Sequence, residues 1–205
     1  MPKRGYHHGN LRQALIDAAF ELIEEKGPTG FTLSEAAKQA GVTPAAVYRH
    51  FEGREDLIAE AARQGYEIFA DLMEYAYQKG QPSALAAFSA TGRAYLAFAR
   101  KYPGHYIAMF ESGISVNRTP ELAAVASRAN AVLETAASDL SQHIPEDKRP
   151  PASMFSAHIW ALSHGVVELF ARNSPGHTSP FPPEELLETG IGIYLRGLGL
   201  IDPDQ

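Results

Sequence analysis

The sequence predicts an all-α protein of about nine helices. Apolar residues recur at three- and four-residue spacing through most of the 205-residue chain, as they do along one face of a helix. Proline and glycine separate these stretches, and serine or threonine precedes several of them in a position to cap a helix. No segment keeps the alternation of apolar and polar residues that is typical of a strand.

Composition places limits on the kind of protein. A hydrophobic fraction of 45% supports a buried core, and the length suits a small domain, residues 1–54, followed by a larger one, residues 55–205. The absence of cysteine excludes disulfides, thiolate zinc sites and cysteine nucleophiles. The polar start is unlike a signal peptide, and no apolar run is long enough to span a membrane, so we expect a cytoplasmic protein.

The first helix is predicted over residues 11–26, where apolar residues keep helical spacing until Gly27 and Pro28 end it. Thr32 then stands where it can cap a second helix. Glu35, three residues later, completes the pattern of a capping box.

A third helix follows the second after a tight turn. Gly41 can adopt the positive φ that such a turn requires, and Val42 can fill the corner between the two helices. Thr43 is placed to cap the third helix, and Pro44 suits its first position because no N–H donor is needed there. Two short helices joined by a glycine turn predict a helix-turn-helix.

The net charge of −6 is unevenly distributed. Residues 1–54 contain 7 Lys/Arg and 6 Asp/Glu, a balance of +1, whereas residues 55–205 contain 11 and 18, a balance of −7. The acidic whole chain is therefore compatible with a DNA-binding first domain, whose binding should depend strongly on salt.

The remaining helices complete the all-α pattern. A long helix over residues 54–79 links the two domains, and it carries an apolar stripe. Further helices are predicted at residues 84–101, as a short helix that reaches about residue 111, and at 119–143, 152–172 and 183–199.

The helix-turn-helix and its continuation resemble one known family. Tyr48-Arg49-His50-Phe51, followed by Gly53-Arg54-Glu55-Asp56-Leu57, is similar to the end of the recognition helix in TetR-family transcriptional regulators. The resemblance covers roughly residues 6–60. The opening Gly5-Tyr6-His7-His8-Gly9-Asn10-Leu11-Arg12, together with Trp160 and His164-Gly165, resembles one subgroup of that family.

The resemblance implies a homodimer that binds a pseudo-palindromic operator in double-stranded DNA, as a repressor that an unknown small molecule releases. Pro44, Ala45, Ala46 and Arg49 are then expected toward base edges, although Arg49 replaces an aromatic residue that is common in the family. The remaining residues expected at the interface, mostly as phosphate contacts, are Thr32, Ser34, Thr43, Tyr48, His50 and Arg54.

The second domain is expected to dimerise and to hold the small molecule. The helices at 153–171 and 183–199 are the predicted dimer contact, because the first is apolar nearly all round and the second contains glycines that permit close approach. The candidate ligand-binding residues combine apolar bodies with polar tips or sulfur: Phe69, Tyr95, Tyr102, His105, Met109, Trp160 and His164.

No catalytic, cofactor or metal site is predicted. His158 and His164 lie on different sides of their helix, and His164 can instead contact Glu168 one turn later. Two alternatives remain open at this point. One is a dimeric DNA-binding protein that responds to no ligand, and the other is an enzyme built on a helical bundle, which would need activity independent of the helix-turn-helix.

Overall fold

The computed structural model describes residues 11–171 and 180–201, apart from the side chain of residue 171. Within these ranges the chain is all-helical, as predicted, and contains nine α-helices. They are α1 (Leu11–Lys26), α2 (Leu33–Gln39), α3 (Pro44–Val47), α4 (Arg54–Gly80), α5 (Ala84–Lys101), α6 (Pro103–Phe110), α7 (Pro120–Ser141), α8 (Ala152–Val166) and α9 (Pro183–Gly197). The motif at residues 5–10 and most of the loop before α9 lie outside the described residues.

The helix ends differ from the predicted ones mainly in the second half of the chain. A 3₁₀ turn, Glu146–Lys148, follows α7, and a π-helical turn, Val167–Ala171, continues α8 with wider hydrogen bonding. The last helix ends at Gly197, before Gly199 takes a φ of +75°. Helix α3 is only one turn long, because the residues after Val47 form hydrogen-bonded turns rather than further α-helix.

Two compact units divide the chain. Unit 1 comprises residues 1–67 and 102–126, and unit 2 comprises residues 68–101 and 127–205, so the dividing line falls within α4 and within α7. Unit 1 therefore contains α6 in addition to the predicted first domain. The division at residue 54 stays a prediction about functional domains rather than about compact units.

The core of unit 1 forms where α1 packs against α2, the start of α4 and α6. Leu15, Ile23, Val47 and Leu57 are fully buried there. Helix α6 approaches α1 closely at Gly104, where a Cβ atom would lie only 2.9 Å from the carbonyl oxygen of Phe20. This close contact explains why a short helix outside the first 67 residues belongs to the same unit.

Unit 2 is a bundle of α5, α8, α9, most of α7 and the second half of α4. One buried cluster in it is made of apolar side chains from α5, α7, α8, α9 and the turn after α7: Phe88, Ala136, Ala137, Leu140, Ile144, Phe155 and Leu195. Within the single chain, α8 is buried on one side only. Met154 and Leu162 on α8 and Ile193 on α9 are large apolar side chains exposed to solvent.

Helix α4 is continuous through both units, from Arg54 to Gly80.

Over the ranges that the structure describes, no helix combines the length and the apolar character that a membrane span requires.

Candidate nucleic-acid interface and cavity

The predicted capping box is present at the start of α2. The hydroxyl oxygen of Thr32 accepts a hydrogen bond from the backbone N–H of Glu35 at 3.2 Å, and Glu35 Oε2 accepts one from the backbone N–H of Thr32 at 2.8 Å. The Glu35 carboxylate also lies 2.8 Å from Lys26 Nζ. Hydrogen bonds from Lys26 and then from Thr32 lower the pKa of Glu35 to about 2. Helix α2 is thus fixed at its first turn.

The turn between α2 and α3 has the predicted glycine conformation, since Gly41 has a φ of +73°. Pro44 occupies the first position of α3, also as predicted. Thr43 occupies the N-cap position of α3, as predicted, but it does not cap the helix through its side chain. The backbone N–H of Ala46 donates to the backbone carbonyl of Thr43 at 2.9 Å, and the Thr43 hydroxyl makes no capping bond.

A continuous exposed surface runs from the start of α2 across α3 and the turn that follows it. Tyr48 is the largest side chain on it and is 62% exposed, whereas Val47 beside it is fully buried and anchors α3. The other exposed predicted contacts are Ser34, Thr43, Pro44, Ala45, Arg49 and His50, and Ala46 is half-buried among them. The small residues at the start of α3 leave its backbone accessible, which permits close approach by a large partner.

Arg54 has a structural role beside this surface. It is half-buried, and its Nη1 donates to the carbonyl oxygens of Thr29 at 2.9 Å and Phe31 at 3.5 Å. These bonds tie the start of α4 to the segment that precedes α2. The predicted phosphate contact of Arg54 would therefore have to use a guanidinium group that already donates hydrogen bonds to these two carbonyl oxygens.

Arg118 is a neighbour of this surface that sequence reasoning missed. Its Nη1 lies 2.9 Å from Glu55 Oε2, and its Nη2 lies 3.4 Å from Asp56 Oδ1, both in the first turn of α4. Arg118, Glu55 and Asp56 line a groove together with Tyr48 and Arg54. No local pattern in the sequence indicates this contact, because more than sixty residues separate Arg118 from Asp56.

Glu60 joins α1 to α4 within unit 1. Its Oε1 lies 2.9 Å from Arg12 Nη1 and 2.9 Å from Arg63 Nη2. Burial acts to raise the pKa of Glu60, but hydrogen bonds from Arg63 and Arg12 outweigh it and lower the pKa to about 2. Arg12 also lies over the ring of Phe51, 5.3 Å from its centroid.

Unit 2 contains a cavity of about 440 Å³ between α5, α7, α8 and α9. Tyr95 and Trp160 meet on its wall edge to face, with ring centroids 5.6 Å apart. The Tyr95 hydroxyl lies 2.8 Å from His164 Nδ1, and the His164 ring stacks on Trp160. Ten of the other twenty lining residues have apolar side chains and two are glycines; the apolar ones are Leu85, Phe88, Leu133, Ala137, Ala157, Ile159, Leu187, Ile191, Leu195 and Ile201.

The cavity includes only part of the predicted ligand-binding set. Tyr95 and Trp160 line it, whereas Phe69 and His164 do not line it but contact Tyr95. The remaining three predicted residues, Tyr102, His105 and Met109, lie in unit 1. Sequence reasoning missed the contribution of α9, although its apolar residues at 187, 191 and 195 recur every four positions and so share one helix face.

His105 belongs to the core of unit 1. Its ring stacks on Phe20 of α1 with centroids 3.6 Å apart, and Tyr102 meets it edge to face. Burial lowers the pKa of His105 to about 4, against a smaller effect of Asp17 that raises it. A neutral, stacked imidazole of this kind is part of the packing of α6 on α1.

No metal centre is found in the described part of the chain, where no three potential ligands lie close enough together. His158 Nδ1 lies 2.8 Å from the Tyr194 hydroxyl, and His164 Nε2 lies 4.0 Å from Glu168 Oε1. The predicted approach of His164 and Glu168 is thus confirmed.

Two protein-family models match different parts of the chain. Residues 15–61 match the family model of bacterial regulatory proteins of the tetR family. Residues 88–194, more than half of the chain, match the model of the tetracyclin repressor-like C-terminal domain.

Curated relatives match over part of the chain. The HTH-type transcriptional regulator YobS of Bacillus subtilis is 29% identical over 99 residues, which are 48% of this chain and 50% of YobS. BetI of Rhizobium meliloti is 40% identical over 63 residues, or 31% of this chain and 30% of BetI. The chain thus spans half or less of the length of these curated relatives.

Solved structures match over nearly the whole chain. A Rhodococcus sp. RHA1 protein of unknown function has a TM-score of 0.76 and 25% identity, covering 96% of this chain and 99% of that one. The TetR-family regulator PfmR of Thermus thermophilus has a TM-score of 0.70 and 18% identity over 90% of this chain and 98% of its own. AibR, solved with isovaleryl coenzyme A and operator DNA, has a TM-score of 0.66 and 18% identity over 89% and 97%.

Both halves of the chain therefore carry the family's features, and this protein belongs to the TetR family of helix-turn-helix transcriptional regulators, which bind DNA and are not enzymes.

Proposed function

We propose that this regulator is a homodimeric repressor that leaves a pseudo-palindromic operator when a small molecule enters the cavity of unit 2. One observation carries the proposal. A single chain has an exposed surface suited to the major groove and, separately, a largely apolar cavity, and α4 starts at the first and continues into the unit that contains the second.

The proposed DNA contacts follow from exposure. Ser34, Thr43, Tyr48 and His50 present hydroxyl and imidazole groups that suit phosphate oxygens. The start of α3 and Arg49 would approach base edges, where alanines favour thymine methyl groups and a guanidinium favours guanine. Thr32 would act chiefly by fixing the first turn of α2, because its side chain is engaged in the capping box.

The proposed dimer uses residues 153–171 and 183–199. Its support is the face of α8 and α9 that stays uncovered in one chain, which includes Met154, Leu162 and Ile193. Covering these side chains by a second copy would bury apolar area, and a two-fold axis would place two DNA-binding surfaces on one DNA face. Half-sites about 34–36 Å apart, or separated by another whole number of helical turns, suit such a dimer.

The proposed switch depends on differential binding. A ligand between α5, α7, α8 and α9 can alter DNA affinity only if it binds more tightly to one spacing of the two DNA-binding surfaces. Coupling of about 1–3 kcal/mol would change operator affinity about 5- to 150-fold. AibR, which has the same fold, was solved in complex with isovaleryl coenzyme A and operator DNA, so one protein of this fold can bind both kinds of partner.

The DNA-binding part can be tested with two matched tyrosines. The operator is first selected from a random duplex pool, and its affinity is then measured for the wild type, Tyr48→Ala and Tyr75→Ala. Tyr48 is 62% exposed and Tyr75, on α4 in unit 2, is 64% exposed. We expect Tyr48→Ala to weaken binding about tenfold, or about 1.4 kcal/mol, and Tyr75→Ala to leave it unchanged. Equal affinities for all three proteins would exclude Tyr48 from the interface.

The ligand-responsive part needs a separate measurement. Compounds that raise the melting temperature are selected first, and each is then added to an operator titration. We expect hits to weaken operator binding by at least about fivefold. If saturating hits leave operator affinity unchanged, the second unit only dimerises, and the protein is a ligand-independent DNA-binding regulator.

A further inference from the structure

We infer that the cavity of unit 2 binds an uncharged, largely apolar ring compound rather than an organic anion. This inference rests on the proposed function, because it assigns a chemical class to the effector. It follows from three properties of the lining: the apolar wall, the position of its charges and its few polar groups.

The wall offers mainly dispersion contacts. Aliphatic side chains from α7, α8 and α9 face the same space, including Leu133, Ile159 and Ile191. Tyr95 and Trp160 add two ring surfaces that meet at nearly a right angle, with an interplanar angle of 74°. A flat ring can stack on one of them and meet the edge of the other. A volume of about 440 Å³ lies within the range of sites for small organic ligands and suits about two or three rings.

The charged residues of the lining do not favour an anion. They are Arg93, Glu134 and Glu188, and all three side chains are exposed to solvent rather than buried in the wall. Arg93 Nη1 lies 3.8 Å from Glu188 Oε1, so its charge is offset by a carboxylate. Glu134 leaves a net negative charge among the three. An anion entering the apolar part would lose hydration and would find no buried cation among the described lining residues to replace it.

The polar groups of the wall permit few hydrogen bonds to a ligand. The Tyr95 hydroxyl is already 2.8 Å from His164 Nδ1, and the Thr91 hydroxyl donates to the carbonyl oxygen of Phe88 at 2.7 Å. The other neutral hydroxyl and amide side chains that line the space are Ser89, Asn130, Ser156 and Ser163. One or two neutral hydrogen-bonding groups on the ligand are therefore compatible with this lining, whereas a fixed charge is not.

A pair of fluorescent probes separates the two classes. N-phenyl-1-naphthylamine is neutral, and 8-anilinonaphthalene-1-sulfonate has the same ring system with one anionic group. Trp160 is the only tryptophan of the chain and lies in the cavity wall, so energy transfer from it reports binding to the protein, and the variants below locate the probe. We expect the neutral probe to bind at least about tenfold more tightly than the sulfonate, equivalent to about 1.4 kcal/mol. Equal or tighter binding of the sulfonate, or no binding of the neutral probe, would overturn the inference.

Two kinds of variant locate the probe. In Gly92→Leu the new Cβ would lie 3.8 Å from Leu187 Cδ2, an ordinary contact, and the rest of the side chain would fill cavity space. Ser156→Phe fills the cavity from α8 and serves if the first variant is poorly folded. Tyr75→Ala is the control, because it removes an exposed ring of α4 in unit 2 that neither lines the cavity nor belongs to the proposed dimer face.

We expect both filling variants to weaken energy transfer from the neutral probe at least about tenfold, and the control to leave it unchanged. Unchanged binding in a folded filling variant, or lost binding in the control, would place the probe on the outer surface of the protein and refute the cavity assignment.

The outcomes distinguish an error in the proposed regulation from an error in the chemical class of the ligand. If the neutral probe binds in the cavity but does not change operator affinity, the chemical class stands and ligand regulation by this class is refuted. If a sulfonate or carboxylate releases DNA and binds the cavity more tightly, regulation stands and the chemical class is refuted.

Discussion

Replacement of Glu60 by glutamine should destabilise unit 1, because it removes the negative charge that holds α1 to α4. The Glu60 side chain is only 11% exposed and contacts Arg12 and Arg63. Glutamine keeps the shape of the side chain but cannot accept two charge-assisted hydrogen bonds on one carboxylate. The two guanidinium groups would then lose their shared anion.

The magnitude follows from the pKa. Lowering the pKa of Glu60 from its ordinary 4.5 to about 2 corresponds to about 3 kcal/mol of unfolding free energy at neutral pH. The Arg12 side chain is 46% exposed, so water screens part of this interaction. We therefore expect Glu60→Gln to lower the free energy of unfolding by about 1–3 kcal/mol at pH 7.

The dependence on pH has a definite sign. A carboxyl whose pKa is lower in the folded state stabilises the protein above pH 4.5, and this contribution is lost as the pH falls toward 2. The difference between the wild type and Glu60→Gln should therefore shrink by about 1 kcal/mol between pH 7 and pH 3.5. Urea unfolding followed by far-ultraviolet circular dichroism at both pH values measures it.

Glu67→Gln is the matched control, because Glu67 also contacts Arg63, at 2.8 Å, but is exposed to solvent. It should cost less than about 0.5 kcal/mol. If Glu60→Gln costs no more than this control at pH 7, or if its cost is the same at pH 3.5, the reasoning about Glu60 is refuted.

Three further predictions concern the capping box, the groove and the dimer. Thr32→Ala removes one hydrogen bond of the capping box and should lower the free energy of unfolding by about 1 kcal/mol, measured by urea unfolding. Arg118→Ala leaves Glu55 and Asp56 without their cation beside the DNA-binding surface. It should weaken operator binding about threefold to tenfold at low salt, and less at high salt, in fluorescence-anisotropy titrations. Leu162→Asp puts a charge on the proposed dimer face and should give a monomer in sedimentation at micromolar concentration.

Each of these variants has a control elsewhere in the chain. Thr29→Ala changes an exposed threonine that only provides a backbone acceptor, so it should unfold like the wild type. Arg128→Ala breaks a similar pairing with two carboxylates in unit 2 and should leave operator affinity unchanged. Val116→Asp alters a side chain as exposed as Leu162, 38% against 37%, and should remain a dimer. Equal effects of a variant and its control would contradict the corresponding prediction.

The helix-turn-helix was predictable because its signals are local. The capping box joins residues three apart, and the turn after α2 depends on the φ angle of Gly41 alone. Pro44 suits the first position of a helix whatever surrounds it. Thr43 stands at the predicted N-cap, yet its hydroxyl makes no capping bond, because the hydroxyl and the backbone carbonyl of Thr43 compete for the N–H of Ala46 and the carbonyl accepts it. Local sequence therefore defined the elements but not every hydrogen bond within them.

The cavity was only partly predictable, because distant segments build it. Tyr95 and His105 are ten residues apart and look equally suited to a ligand. Yet Tyr95 on α5 contacts His164 of α8 in unit 2, whereas His105 on α6 stacks on Phe20 of α1 in unit 1. Which of two similar side chains lines a cavity depends on the partner that its helix packs against, and that partner is some seventy or eighty residues away.

The sequence by itself determined the helical fold and the positions of most helices, because helical spacing, caps and turn residues act within a few positions of each other. Tertiary structure alone decided that α6 joins the DNA-binding unit, that Arg118 neutralises the start of α4, and that Leu187 and its neighbours on α9 close the cavity. The physical reason is that close packing selects partners by shape and charge across the whole chain, and this information is not contained in any short segment.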